Sequence, residues 1–277
     1  MGPTSTKLKA RFAKWANQYK QQTRKMAKSI PTIGDVPDLE SLTKKGHDPL
    51  HSVYITVQNL TSVFAESVSG LPELKTYYKA IEAAEDEYLP QGPPMSPLTC
   101  SYFTAWAFFD FQFNRDETIG TCLLDLSDQL GMAPGMVEAL RQYQQSRMGI
   151  YEHCGNLGGR IRLRELLTDA EFLCHNTSGY FGVPGELWYV RLYPPLGDVD
   201  YHVTVTTPYI LTQATKVDWT AYLNRAKLSL SSRDDGQRLY NLLKYGSWTR
   251  HWHEFVFAAY HHHQHEAIFL AVIPDVK

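Results

Sequence analysis

The sequence predicts an α+β protein: a helical N-terminal half, a small antiparallel β meander or barrel in the middle, and a helical C-terminal region. Two observations carry this prediction. Apolar residues recur with helical spacing up to about residue 145, and from Ser146 the period changes to two. Glycine, asparagine and proline clusters then cut the chain into short runs as far as Leu211, after which helical spacing returns. The expected regions are 1–145, helical and opened by a basic helix; 146–211, an antiparallel β subdomain; and 212–277, helical and packing back on the first.

Leu8, Phe12, Trp15, Tyr19 and Met26 lie three, four or seven residues apart, which makes them one stripe of a first helix with basic residues elsewhere on it. Ile30–Gly46, with Pro31, Gly34 and Pro37, reads as a linker. A second helix is bounded by Asp48 as cap, Pro49 at the first helical position and Gly70 as stop. A third runs from about Pro72 to Tyr88, and Pro90–Pro97 then breaks the pattern. An aromatic helix over 98–113 is apolar nearly all round and should be buried, and helices near 121–130 and 134–145 follow. Five short strands are expected around Met148/Ile150, Ile161/Leu163, Phe172/Cys174, Leu187/Tyr189/Arg191 and Tyr201/Val203/Val205. Helical spacing marks 217–229, 236–245 and a long stretch from Ser247 to about Gln264. The apolar tail Ala267–Ile273 fits a buried strand or a buried helix end equally well.

The middle of the chain carries a succession of motifs: Ala107-Phe108-Phe109-Asp110-Phe111-Gln112-Phe113, then Ser146-Arg147-Met148-Gly149-Ile150-Tyr151-Glu152, then Arg162-Leu163-Arg164-Glu165-Leu166-Leu167-Thr168, then Gly185-Glu186-Leu187-Trp188-Tyr189-Val190-Arg191-Leu192-Tyr193-Pro194. Over about residues 99–211 this resembles the uncharacterised region that accompanies a SEC-C zinc motif in bacterial proteins. The terminal zinc knuckle of such proteins has no counterpart here, so no role of that knuckle carries over. The resemblance implies an α+β bacterial protein and no catalytic residue.

Charge is unevenly distributed. Residues 1–34 hold eight basic side chains and no acidic one, which leaves 19 basic against 29 acidic residues in the rest of the chain. Lys7, Arg11, Lys14, Arg24, Lys25 and Lys28 are therefore the candidate partner-binding residues, set to follow RNA phosphates or an acidic protein surface. Packing of the helix on the acidic remainder of its own chain explains the same charges. No window reaches the ~18 uncharged apolar residues a membrane span needs. The four cysteines form no C-x-x-C pair, and a cytoplasmic location is expected.

Six of eleven histidines fall between His251 and His265. On a continuous helix Glu254, His261 and His265 share a face, with His251 close by. His261 and His265, four apart, have the spacing at which two imidazoles reach one metal, so zinc or another divalent transition metal is the candidate cofactor. An ordinary solvated face accounts for the same residues. Arg160, Arg162 and Arg164 alternate along one strand as an anion-binding stripe or an exposed sheet face. The sequence carries no G-x-S-x-G and no phosphate-binding glycine motif. The functional expectation is a bacterial cytosolic, non-catalytic interaction module for a protein or RNA partner; the alternative is a metal-dependent hydrolase built on the C-terminal histidines.

Overall fold

A computed structural model describes residues 1–23, 44–88, 97–114, 116–230, 234–246, 262–264 and 267–270, and these form an α+β protein. The chain divides into two compact units, each assembled from two stretches: 1–83 with 107–144, and 84–106 with 145–277.

The first unit is helical. Its opening helix α1 (Pro3–Thr23) is followed by α2 (Pro49–Val68), and a single 3-10 turn, Pro72–Leu74, leads into α3 (Lys75–Tyr88). The start of α2 is set as its sequence requires: Asp48 is extended, its carboxylate accepts the His51 N–H at 2.9 Å, and Pro49 holds the first position. Its buried stripe is Leu50, Val53, Tyr54, Val57, Thr61, Phe64 and Val68. Two shorter helices complete the unit, α5 (Ile119–Asp125), capped by Thr118, and most of α6 (Pro134–Gln145). Tyr143 of α6 stacks on Phe109 at 4.3 Å and meets Tyr54 edge-on at 5.8 Å, so aromatic packing forms much of this core.

The aromatic helix α4 spans Pro97–Phe109, four residues short of its expected end. From Asp110 the chain is no longer helical, and the Phe113 N–H donates to Glu117 O at 3.1 Å. Phe111 and Phe113, two apart, both pack on Tyr77 at ring distances of 6.1 and 5.3 Å. A period of two was hidden inside an apolar run that was read as continuous helix.

The second unit is built on a sheet. Strands β1 (Arg147–Leu157), β2 (Arg160–Glu165), β3 (Glu171–His175), β4 (Leu187–Tyr193) and β5 (His202–Thr204) pair in the order β1-β2-β3-β5-β4, and β4 pairs back to β1, closing a five-stranded barrel. The expected antiparallel pattern holds except at one seam, where β3 and β5 run parallel. Tyr151, Ile161, Leu163, Cys174, Trp188, Val190, Leu192 and Ile210 fill the interior, the inward halves of the alternating runs. Outside the closed ring, β6 (Tyr209–Leu211) pairs with the first half of β4. Helix α4 reaches this face through Tyr102, whose hydroxyl donates to Thr207 O at 2.7 Å and whose ring lies 4.9 Å from Tyr209.

Helices α7 (Lys216–Leu228) and α8 (Asp235–Tyr245) lie in this same unit and are capped by Thr215 and Asp234. The undecided tail supplies strand β8 (Ala267–Leu270), parallel to β6. The helix expected to run to Gln264 is corrected at its end: His262–Gln264 is strand β7, antiparallel to β8. Once β8 adds to the sheet its free edge presents unpaired backbone groups, and pairing them outweighs local helical spacing. Residues 247–261 lie outside the described residues, as do most of the two expected linkers.

One buried side chain locks the barrel's longest loop. His153 of β1 is 1 % exposed; its Nε2 donates to Phe181 O at 2.9 Å while its Nδ1 accepts the Gly155 N–H at 3.1 Å. That pattern requires the neutral ring with its proton on Nε2. His153→Ala removes both bonds and leaves a void, with an expected loss of roughly 2–4 kcal/mol in urea unfolding. A loss below about 0.5 kcal/mol would show that the loop is held by other contacts.

Candidate functional site

The outer surface of the barrel at β1, β2 and β3 gathers the most chemistry. On β2 the inward residues Ile161, Leu163 and Glu165 are buried, so Arg160, Arg162 and Arg164 point outward in a row. Each has a defined position. The Arg160 guanidinium lies 3.2 Å over the centre of the Tyr201 ring. Arg162 donates from Nη2 to Cys154 O at 2.9 Å, and Arg164 is paired with Glu171 of β3 at 2.8 Å. The hydrogen bond from Arg164, with its charge added, holds the Glu171 carboxyl below the ordinary carboxylate range. Arg162 and the Arg164–Glu171 pair are solvent-exposed, so salt and a competing anion both weaken these contacts.

Beside this row, the segment 176–186 is held at several points. Glu186 accepts from the Tyr180 hydroxyl at 2.8 Å and from Trp188 Nε1 at 3.0 Å, and Ser178 donates to Asn176 Oδ1 at 3.1 Å. Glu186 O also accepts the His153 N–H at 2.8 Å. This fixed loop nevertheless presents Phe181 and Val183 to solvent at 49 % and 59 % exposure, and the neighbouring β1–β2 hairpin presents Leu157 at 60 %. Apolar side chains exposed together on a hydrogen-bonded loop and its neighbouring hairpin make this surface a candidate binding face.

Polar groups also collect within the unit. Arg147 donates to both oxygens of the buried Glu165 carboxylate, at 2.5 and 3.2 Å, and the Thr168 hydroxyl donates to Glu165 Oε2 at 2.6 Å. The His202 ring stands perpendicular to Phe172 at 5.0 Å. Burial, with the Arg147 charge added, pushes the His202 imidazole down to about 4. A further pair of cations, Arg191 and Lys244, is almost fully buried, and both donate to the Ser146 carbonyl, at 2.9 and 2.7 Å. Sequence reading placed Arg191 in β4 without assigning it a role. The signal was that Leu187, Tyr189 and Arg191 share one face of a strand that is buried on both faces.

Of the candidate metal ligands, Glu254, His261, His265 and His251 all lie outside the described residues. The helical phase that was to align His261 with His265 does not apply between them, since 262–264 is strand. Among the described residues no group of three or more His, Cys, Asp or Glu is placed to share a metal ion. Of the basic candidates, Lys7 and Lys14 are exposed on α1, and Arg24, Lys25 and Lys28 lie outside the described residues. Arg11 is engaged within its own unit, donating from Nε and Nη2 to Glu73 at 2.9 and 2.7 Å. Helix α1 is anchored there by fully buried Leu8, and Glu117 accepts the Thr4 and Ser5 N–H groups at its positive end. The Cys174 thiol is enclosed in the barrel and burial pushes it well up; Cys122 is pushed up to about 12 for the same reason. Neither is a thiolate at neutral pH.

No family model, curated protein or solved structure matches this chain. No helix among the described residues is long and apolar enough to cross a membrane.

The buried imidazole gives the unit a pH dependence. In the unfolded chain His202 takes up its proton near pH 6.5, in the folded state only near 4, so between these values the unfolded state binds more protons. Stability is therefore full above about pH 6.5 and falls as pH drops toward 4, by on the order of 1–2 kcal/mol for a partly exposed ring. Urea unfolding at pH 7.5 and 5 should show this loss, and His202→Phe should remove most of it. Equal losses in both proteins would assign the effect to other groups.

Proposed function

We propose that the chain is a bacterial cytoplasmic, non-catalytic interaction module that engages a protein or RNA partner. The observation that carries this reading is the barrel surface: three outward arginines on one strand, beside a hydrogen-bonded loop that holds Phe181 and Val183 in solvent. A rigid scaffold with exposed cationic and apolar groups suits recognition. In the helical unit, Lys7 and Lys14 of α1 are exposed cations that a partner could also use. Kinship with the region that accompanies SEC-C motifs is part of the same proposal and rests on the motifs of residues 99–211.

Deleting residues 1–34 is a poor test, because it removes buried Leu8 and the Thr4 and Ser5 bonds along with the charges. The informative measurements use the intact chain. Untagged protein, purified without a nickel column, is titrated with labelled RNA and crosslinked in a bacterial lysate with identification of the crosslinked residues. Saturable RNA binding, or one partner crosslinked reproducibly through the barrel surface or α1, is the expected result. One equivalent of bound metal together with hydrolytic turnover that a chelator abolishes would replace this reading with an enzyme. Absence of both RNA binding and a reproducible partner would also overturn it.

A further inference from the structure

We infer that the outer face of β2 is a track for a single-stranded polynucleotide, with Arg162 and Arg164 on its phosphates and the Arg160–Tyr201 stack and Phe181 as planes for its bases. This rests on the interaction reading above and names its partner.

Alternate residues of a strand are about 6.6 Å apart and face one way. Arg160, Arg162 and Arg164 therefore form an evenly spaced cationic line along one edge of an extended chain. Their orientation is not left to side-chain entropy. Arg162 is tethered to the Cys154 carbonyl and Arg164 to Glu171, and both tethers are exposed enough for a phosphate to replace them. The two ends of the line differ. Arg162 and Arg164 stand exposed to solvent, whereas Arg160 has its Nη1 buried and its guanidinium against Tyr201. The Arg160 guanidinium, 3.2 Å from the centre of the Tyr201 ring, makes a cation–π contact that a base could extend by stacking. The phosphate contacts are thus placed at Arg162 and Arg164, and stacking at Arg160.

The choice of a polynucleotide over an acidic peptide follows from the combination of groups. A peptide carboxylate uses the charges alone, whereas a single strand uses both the charges and the planar faces. The choice of single strand over duplex follows from the planes, since paired bases are stacked on each other and offer none.

Glu171 supplies the sharpest test, because its carboxylate is paired directly with Arg164. Neutralising it frees Arg164 and removes a repulsive charge, so Glu171→Gln should tighten binding about three- to tenfold. A misfolded variant could not do that. Fluorescence anisotropy on the full chain, with a labelled 12-nucleotide RNA, its DNA equivalent, the corresponding duplexes and a 12-residue polyglutamate, provides the readout. Arg162→Ala/Arg164→Ala should weaken single-strand binding at least tenfold, and should lower the slope of log affinity against log salt by about 1.4, two phosphates' worth. Thermal melts confirm that the exposed substitutions leave the fold intact, and the RNA and DNA arms identify which strand is preferred.

Wild-type binding to single strands that Lys7→Ala/Lys14→Ala removes and the arginine pair leaves unchanged would overturn the track while the interaction reading stands. Tighter binding to the duplex or to polyglutamate would overturn it as well. Absence of polynucleotide binding alongside a reproducible crosslinked protein partner would again remove only this inference; absence of any partner removes both.

Discussion

Strand β1 has to hydrogen-bond along both edges, and the barrel unit depends on its doing so. Arg147 to Glu152 pair with β4, while Tyr151 to Leu157 pair with β2. A straight strand cannot follow two neighbours around so small a ring. The bend is made where His153 faces Leu163 and Asn156 faces Ile161, so that β1 spends one residue more than β2 between the two pairs. Gly155 sits in that bulge at φ +105°, a backbone angle that a side chain rarely tolerates. His153, at the start of the same bulge, binds the Gly155 N–H and the Phe181 carbonyl, so one imidazole both stabilises the bend and ties down the loop that leads into β4.

Charge is used in two different ways in this unit. Where it is buried, charge is held by short bonds to fixed acceptors: Arg147 on Glu165, Arg191 and Lys244 on the Ser146 carbonyl. Such groups hold particular segments together and would be costly to separate, since the group left behind would stay desolvated. Where it is exposed, on β2, the same guanidinium chemistry is held by contacts that water already weakens. A partner can exchange with those contacts at small cost, and the strand beneath them stays fixed by its inward residues Ile161 and Leu163. Separating a rigid inner face from an exchangeable outer one is what the alternation of a barrel strand makes possible.

Much of this was legible from local pattern. The period-two runs located β1 to β5, and the glycine-rich stretch Gly155–Gly159 was readable as a hairpin turn, which the structure narrows to Gly158 and Gly159: both have positive φ, as a two-residue loop between right-twisted strands requires. The Asp48-Pro49 start of α2 and the outward row Arg160, Arg162 and Arg164 were equally visible. The rest of the surface was not. Tyr201 is 41 residues from Arg160 and comes beneath it only because β5 closes the ring beside β3. Phe181 looked like one more aromatic in a turn-rich stretch; its carbonyl is held by His153 only because the loop folds back over β1.

The sequence by itself determined the kinds of element, their order and the alternation that separates the inside of the barrel from its surface. These follow from short-range sterics, capping and hydrophobic period, all of which act within a few residues. Tertiary structure alone decided the parallel seam between β3 and β5, the strand state of Ala267–Leu270 and His262–Gln264, and the end of α4 at Phe109. In each case the local pattern was compatible with more than one conformation. The choice was made by a partner distant in sequence, a strand edge with unpaired backbone groups or the Tyr77 ring, whose position no local spacing encodes.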